Sequence, residues 1–242
     1  MITGDQLLEV FSDYNQKIWP MQIVAYLLGF STVILAVRKT AHSSRAIPAI
    51  LAFFWFWVAL LFWLPSLLQG FLPALIFTLI FLIQGLLFLV YTRKPKLSFA
   101  MHKDIYNLAG LTFILYALVG YPIVGTIIGH GYPRMPPFGL TPCPLVTFTF
   151  GMLLLAEQRV PKALLIIPFF YALSGFLWVS IGILEDIGMI ASGLLGVGLI
   201  WVRDSKSSSF GIENEGLPAQ SGTGWSLNLR DEKERLTQDR NI

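Results

Sequence analysis

Cys143, His130 and Met135 are the side chains in this sequence best suited to bond chemistry. A thiolate, an imidazole and a thioether together suit Cu(I) or a similar soft metal ion. Cys143 is the one cysteine of the chain, which excludes an internal disulfide and any CxxC-type site. It stands in Thr141-Pro142-Cys143-Pro144, which reads as a helix start, with Thr141 at the cap and Pro142 first in the helix. A thiol there feels the positive end of the helix dipole, which lowers its pKa and favours a bound anion or a soft metal. The bland reading is that two prolines crowd a helix entrance and only a small residue fits between them. Thr147 lies four residues on and shares a face with Cys143, so the pair makes a polar stripe at the helix mouth. A threonine hydroxyl also bonds back to its own helix and needs no ligand.

Gln22 and Gln84 complete the candidate ligand-binding set of Gln22, Gln84, His130, Thr141, Cys143 and Thr147. Polar groups inside hydrocarbon are pointers to function, while a buried amide also serves as a bond between two helices. Glu185 and Asp186 stand between the last two apolar runs. Adjacent carboxylates at such a mouth attract cations. The expectation is the plainer one, a hydrophilic turn that keeps the chain from slipping into lipid.

Apolar helices must position these residues. The 242-residue chain is 55% hydrophobic and 13% charged, with a mean hydropathy of +0.67. A soluble domain carries about 25% charged residues, so lipid is the solvent that this composition calls for. The net charge of +3 reflects basic loops rather than nucleic-acid binding. The start of the chain has acids and no basic leader, so the first apolar run is expected to be retained as a span.

Apolar runs at about 19–37, 47–68, 71–91, 105–128, 142–155, 163–184 and 187–202 predict seven transmembrane helices. With the N-terminus outside, the inner loops hold Arg38, Lys39, Arg45, Arg93, Lys94, Lys96, Lys103, Arg159, Lys162, Arg203 and Lys206. The outer side then holds only Lys17 and Arg134. That asymmetry sets the orientation by the positive-inside rule and puts the C-terminus inside. The uncharged turn near 65–73 leaves one alternative, a re-entrant pair over 47–91.

The fold class expected is therefore an all-α, polytopic membrane bundle. Residues 1–18 form a short interfacial amphipathic helix with Leu7, Leu8, Phe11 and Tyr14 at helical spacing. Residues 19–203 form the seven-span domain, and 204–242 a flexible cytoplasmic tail in which Asp231 and Arg235 are spaced to pair. Gly188, Ser192 and Gly196 repeat small residues on one face of the last span, a surface for close packing or for a homo-oligomer. Gly125 and Gly129 do the same at the end of the fourth span.

Several function classes are excluded. No acidic or basic side chain falls at mid-membrane, which argues against a carboxylate proton relay and a voltage sensor. Residues 187–202 contain no lysine for a retinal Schiff base. There is no HExxH, and the Gly129-His130-Gly131 run lacks the strand and helix of a nucleotide site, so an enzyme is the weaker expectation.

Tyr14-Asn15, Trp19-Pro20 and Gln22, followed by Gly139-Leu140-Thr141-Pro142-Cys143-Pro144-Leu145 with Thr147, Phe148 and Gly151, carry a resemblance. Over about residues 5–200 the chain resembles an uncharacterised family of bacterial multi-span membrane proteins. That resemblance implies the bacterial plasma membrane and supplies no activity, cofactor or site residue. Three functions follow from the residues themselves. The leading one is binding or transport of a small solute through an outer-side vestibule built from His130–Thr149. The others are an accessory subunit of a membrane complex and soft-metal or thiol handling at Cys143. Transport would need a polar path running from Gln84 toward Asn107.

Overall fold

The computed structural model of the chain describes residues 3–40, 42–93 and 97–215, of which 207–215 are described by their backbone alone. These residues fold into eight α-helices. They are α1 (Gly4–Lys17), α2 (Met21–Arg38), α3 (Ser43–Leu68), α4 (Ala74–Arg93), α5 (Ile105–Ile127), α6 (Pro142–Leu154), α7 (Ala163–Ser180) and α8 (Ile187–Glu215). Residues Met1–Asp204 form one compact unit, and α8 continues into a second. The last apolar run was expected to end near residue 202 with a flexible tail beyond. The helix instead carries on to Glu215, and the Asp231–Arg235 pair lies outside the described residues.

Six helices are long and apolar enough to cross a membrane: α2, α3, α4, α5, α7 and the stretch Leu184–Lys206. The 26-residue α3 and the 20-residue α4 are both among them, which removes the reason for a re-entrant pair over 47–91. The seventh segment, α6, has 13 residues and spans about 20 Å, short of the ~30 Å hydrocarbon layer. All 13 are buried. The other helices bury one face and leave large apolar side chains such as Leu27, Ile76, Phe170 and Trp201 exposed, as suits a lipid-facing surface.

A helix buried along its whole length must satisfy both ends inside the protein. At the start of α6, Pro142 and Pro144 have no N–H, so two donors that would otherwise be stranded do not exist. At its finish, Arg203 donates to the Leu154 carbonyl at 3.0 Å, and Ala100 N–H donates to Leu155 O at 3.1 Å. A cation there also suits the negative end of the helix dipole. Along its length α6 meets α5 backbone to backbone. A Cβ on Gly110 would stand 2.8 Å from the Gly151 carbonyl oxygen, so only glycine permits that approach.

Prolines shape three of the long helices. In α3 and α5 the stretches Val58–Trp63 and Tyr116–Gly120 widen to π-helical turns. Each lies just ahead of a proline, Pro65 or Pro122. The residue before that proline bonds five back instead of four, Leu64 to Ala59 and Tyr121 to Tyr116. Pro122 cannot donate to Leu118 O, and the Tyr26 hydroxyl donates to it instead at 3.0 Å. In α7, Pro168 leaves Leu164 O free, and the Gln84 amide of α4 fills that place at 3.1 Å.

The bundle has two polar ends. At one, Glu157 accepts from Lys39 Nζ at 2.6 Å and from Ser98, and His102 lies 3.3 Å away. Lys39 and Ser98 hold the Glu157 carboxyl below its usual range. Val160 N–H donates to Asp204 nearby in the chain's return to α7. At the other end α1 lies across the bundle with Leu8, Phe11, Ser12, Tyr14 and Asn15 buried beneath it. Its apolar face is turned onto the protein.

The Gln84–Leu164 bond gives a direct test. Gln84→Leu is expected to lower stability by about 1–3 kcal/mol, because a buried carbonyl loses its donor. In a Pro168→Leu background, where position 168 regains a backbone N–H for that carbonyl, the loss should shrink markedly. Thermal unfolding of the four proteins in detergent measures the difference.

Candidate functional site

The α1 end contains a cavity of about 220 Å³. Leu7, Val10 and Phe11 of α1 roof it. Phe62, Trp63 and Ser66 of α3, with Gln69 and Phe71, form one wall; Tyr171 and Trp178 of α7 form another. Cys143 of α6 and Asp186 line its depth. A second groove of about 480 Å³ between α1 and α3 shares Val10, Phe62, Ser66 and Gln69 with it.

The π-helical turns explain two of these placements. The turn over Val58–Trp63 sets Trp63 inside, stacked on Phe77 with centroids 4.4 Å apart. The turn over Tyr116–Gly120 sets Tyr121 inward, where its hydroxyl donates to Asp186 Oδ1 at 3.1 Å. The roof is held by Tyr14, whose hydroxyl donates to Leu140 O at 2.8 Å and accepts from Trp57 Nε1 at 2.8 Å. Burial pushes the Tyr14 phenol well above its ordinary pKa, so it stays a neutral donor. Asn15 donates to the carbonyls of Pro133 and Met135, and Arg134 pairs with Glu9 at 3.0 Å.

Glu185 and Asp186 are the main correction to the sequence reading. They were expected as a water-facing turn, and both are 0% exposed. α1 and the loop 128–140 close over them: His130 Nδ1 lies 3.2 Å from both Glu185 carboxylate oxygens, and Gly4 of α1 abuts Ile181 O in the turn before them. Tyr116 donates to the Glu185 carbonyl at 2.7 Å. Gly188 makes that contact possible, since a Cβ there would fall 1.9 Å from the Tyr116 ring. Three buried polar atoms around the cavity have no hydrogen-bond partner: Asp186 Oδ2, Trp63 Nε1 and Trp178 Nε1.

The other candidates separate from this site. Gln22 donates to Asn15 O at 2.8 Å and braces the α1–α2 corner. Gln84 serves α7, as above. Thr141 holds the cap position of α6, but its hydroxyl bonds Pro137 O rather than a helix N–H. Thr147 bonds back to Cys143 O at 3.1 Å. Asn107 is tied to Asp104 and His102, and the Gln84 amide nitrogen is bound to Leu164 O while its Oε1 is buried without a partner. Of the proposed metal set, His130 faces Glu185, Met135 offers its carbonyl to Asn15, and the Cys143 thiol lies beside Asp186 and Tyr171. Among the described residues, no group of three or more His, Cys, Asp or Glu converges on a metal-sized site. Gly188 and Gly196 pack on Tyr116 and Phe150, and Ser192 is buried, so the small-residue face of α8 is used within the chain. Gly129 turns the chain at φ +91° instead of packing on a helix.

Residues 4–209 match a family described as a family of unknown function, DUF6064. The chain belongs to this family. No curated protein and no solved structure matches it. The family description assigns no activity, so the function has to be argued from the cavity and the buried acids.

The His130–Glu185 contact is testable without knowing a ligand. His130→Ala leaves a fully buried carboxylate without its imidazole partner and should cost about 1–3 kcal/mol. Adding Glu185→Leu removes the stranded group, and unfolding measurements should show most of the loss recovered.

Proposed function

We propose that this protein is a multi-span membrane protein that binds a small solute in the cavity beneath α1. The single observation that carries this reading is that three residues lining one apolar cavity, Asp186, Trp63 and Trp178, each hold a buried polar atom without a partner. Buried polar groups are nearly always paired. Three exceptions around one space of ligand size favour a missing partner over a packing fault.

In this reading α2–α8 cross the bilayer seven times. The clustering of Lys39, Lys103, Arg159 and Arg203 in the segments at the Glu157 end supports it. By the positive-inside rule that end faces the cytoplasm and the α1 end faces outward. The resemblance to bacterial multi-span proteins supports a bacterial plasma membrane as its location. Binding or sensing fits better than passage, because Gln84 and Asn107 are both engaged in holding helices.

A panel of monocyclic amines, alcohols and carboxylic acids tests the reading through the thermal stability of the purified protein. A ligand that binds only the folded state raises the Tm in a saturable way. At least one class should do so, and Leu7→Trp, which fills the cavity from its roof, should remove the effect. A flat response to every class contradicts the proposal.

A further inference from the structure

We propose that Asp186 is the counter-ion of an organic ammonium that occupies the cavity. The inference rests on the solute-binding reading and names the class of solute.

Glu185 and Asp186 are neighbours in sequence and equally buried, yet their surroundings differ. Glu185 has an imidazole on both of its oxygens. Asp186 has no cationic partner among the described residues. Tyr121 donates to its Oδ1, the Cys143 thiol lies beside the carboxylate as a weak neutral donor, and its Oδ2 has no N–H or O–H donor. A buried carboxylate in that position is stabilised by taking a proton or by taking a cation. The space beside it is fitted for the cation. Phe11, Phe62, Trp63, Tyr171 and Trp178 line it, and aromatic faces attract a desolvated positive charge.

The same wall selects the kind of cation. Calcium and magnesium require about six or more oxygen ligands, and an aromatic cavity with one carboxylate does not supply them. An ammonium on an apolar body brings its own hydrophobic surface and needs one strong acceptor. The volume sets the size. A cavity of about 150 Å³ holds benzene, so about 220 Å³ accommodates one ring with a short amine arm. An anionic ligand would face Asp186 with Glu185 behind it. The two indole N–H groups can meet a hydroxyl oxygen on the same ligand or a bound water.

Benzylamine and benzyl alcohol share size and shape and differ in charge at neutral pH. Calorimetric titration of the full chain in lipid nanodiscs should show benzylamine binding at least about tenfold more tightly, the scale of one desolvated cation–π or charge-assisted contact. Asp186→Asn should bring benzylamine down to the affinity of the alcohol while leaving the alcohol unchanged, which also reports that the cavity is intact. Equal wild-type affinities would overturn the ammonium assignment and leave the solute-binding reading standing. Tighter binding of benzoate would overturn it in favour of the indole donors. Binding of none of the three would overturn both. The wild-type comparison decides even if the variant does not fold.

Discussion

The whole structure depends on a helix buried along its entire length. α6 is buried from Pro142 to Leu154, so its peptide ends must be satisfied by the chain itself. Prolines remove donors at its start, and Arg203 supplies donors at its finish. The neighbouring helices take their places from it. Gly110 and Gly151 bring α5 to backbone contact, and Trp55 of α3 donates to the Thr149 hydroxyl at 3.2 Å. Its first turn meets the cavity, which Cys143 lines and residues of α1 cover.

Proline is used repeatedly to create special positions rather than to end helices. Pro65 and Pro122 follow π-helical turns that set Trp63 and Tyr121 toward the cavity and Asp186. Pro122 and Pro168 leave carbonyls that Tyr26 and Gln84 reach from other helices. Each proline thus converts a lost local bond into a contact between helices, which in hydrocarbon is worth more than a bond to solvent that is not there. Among the described residues seven buried side-chain atoms lack a partner, and those of Asp186, Trp63 and Trp178 belong to residues that line one cavity.

Much of the fold was legible in the sequence because helix length and apolar content act locally. The run at 47–68 became Ser43–Leu68, and the short run at 142–155 became Pro142–Leu154. The second reading of Gln84, a bond between helices, was legible too, since a lone amide in an apolar run has few other uses. The site was legible only in part. Cys143 does line the cavity, and His130 does lie beside the acids. The acids themselves were misread, because adjacent carboxylates between two spans look like a turn in water. Their burial is produced by α1 and His130, which are remote in sequence and close over them in space. The aromatic wall was also hidden: seven tryptophans and 19 phenylalanines give no hint of which ones share a space. The small face of Gly188 and Gly196 was read first as a packing surface, and Tyr116 and Phe150 lie against it.

In the proposed topology the cavity end of the bundle faces the outside of the cell. Cysteine accessibility in intact cells tests it most directly. In a Cys143→Ser background, Gln69→Cys marks the cavity end and His102→Cys the Glu157 end. A membrane-impermeant maleimide should label the first without permeabilisation and the second only after it. The reverse pattern would contradict the account by turning the cavity toward the cytoplasm.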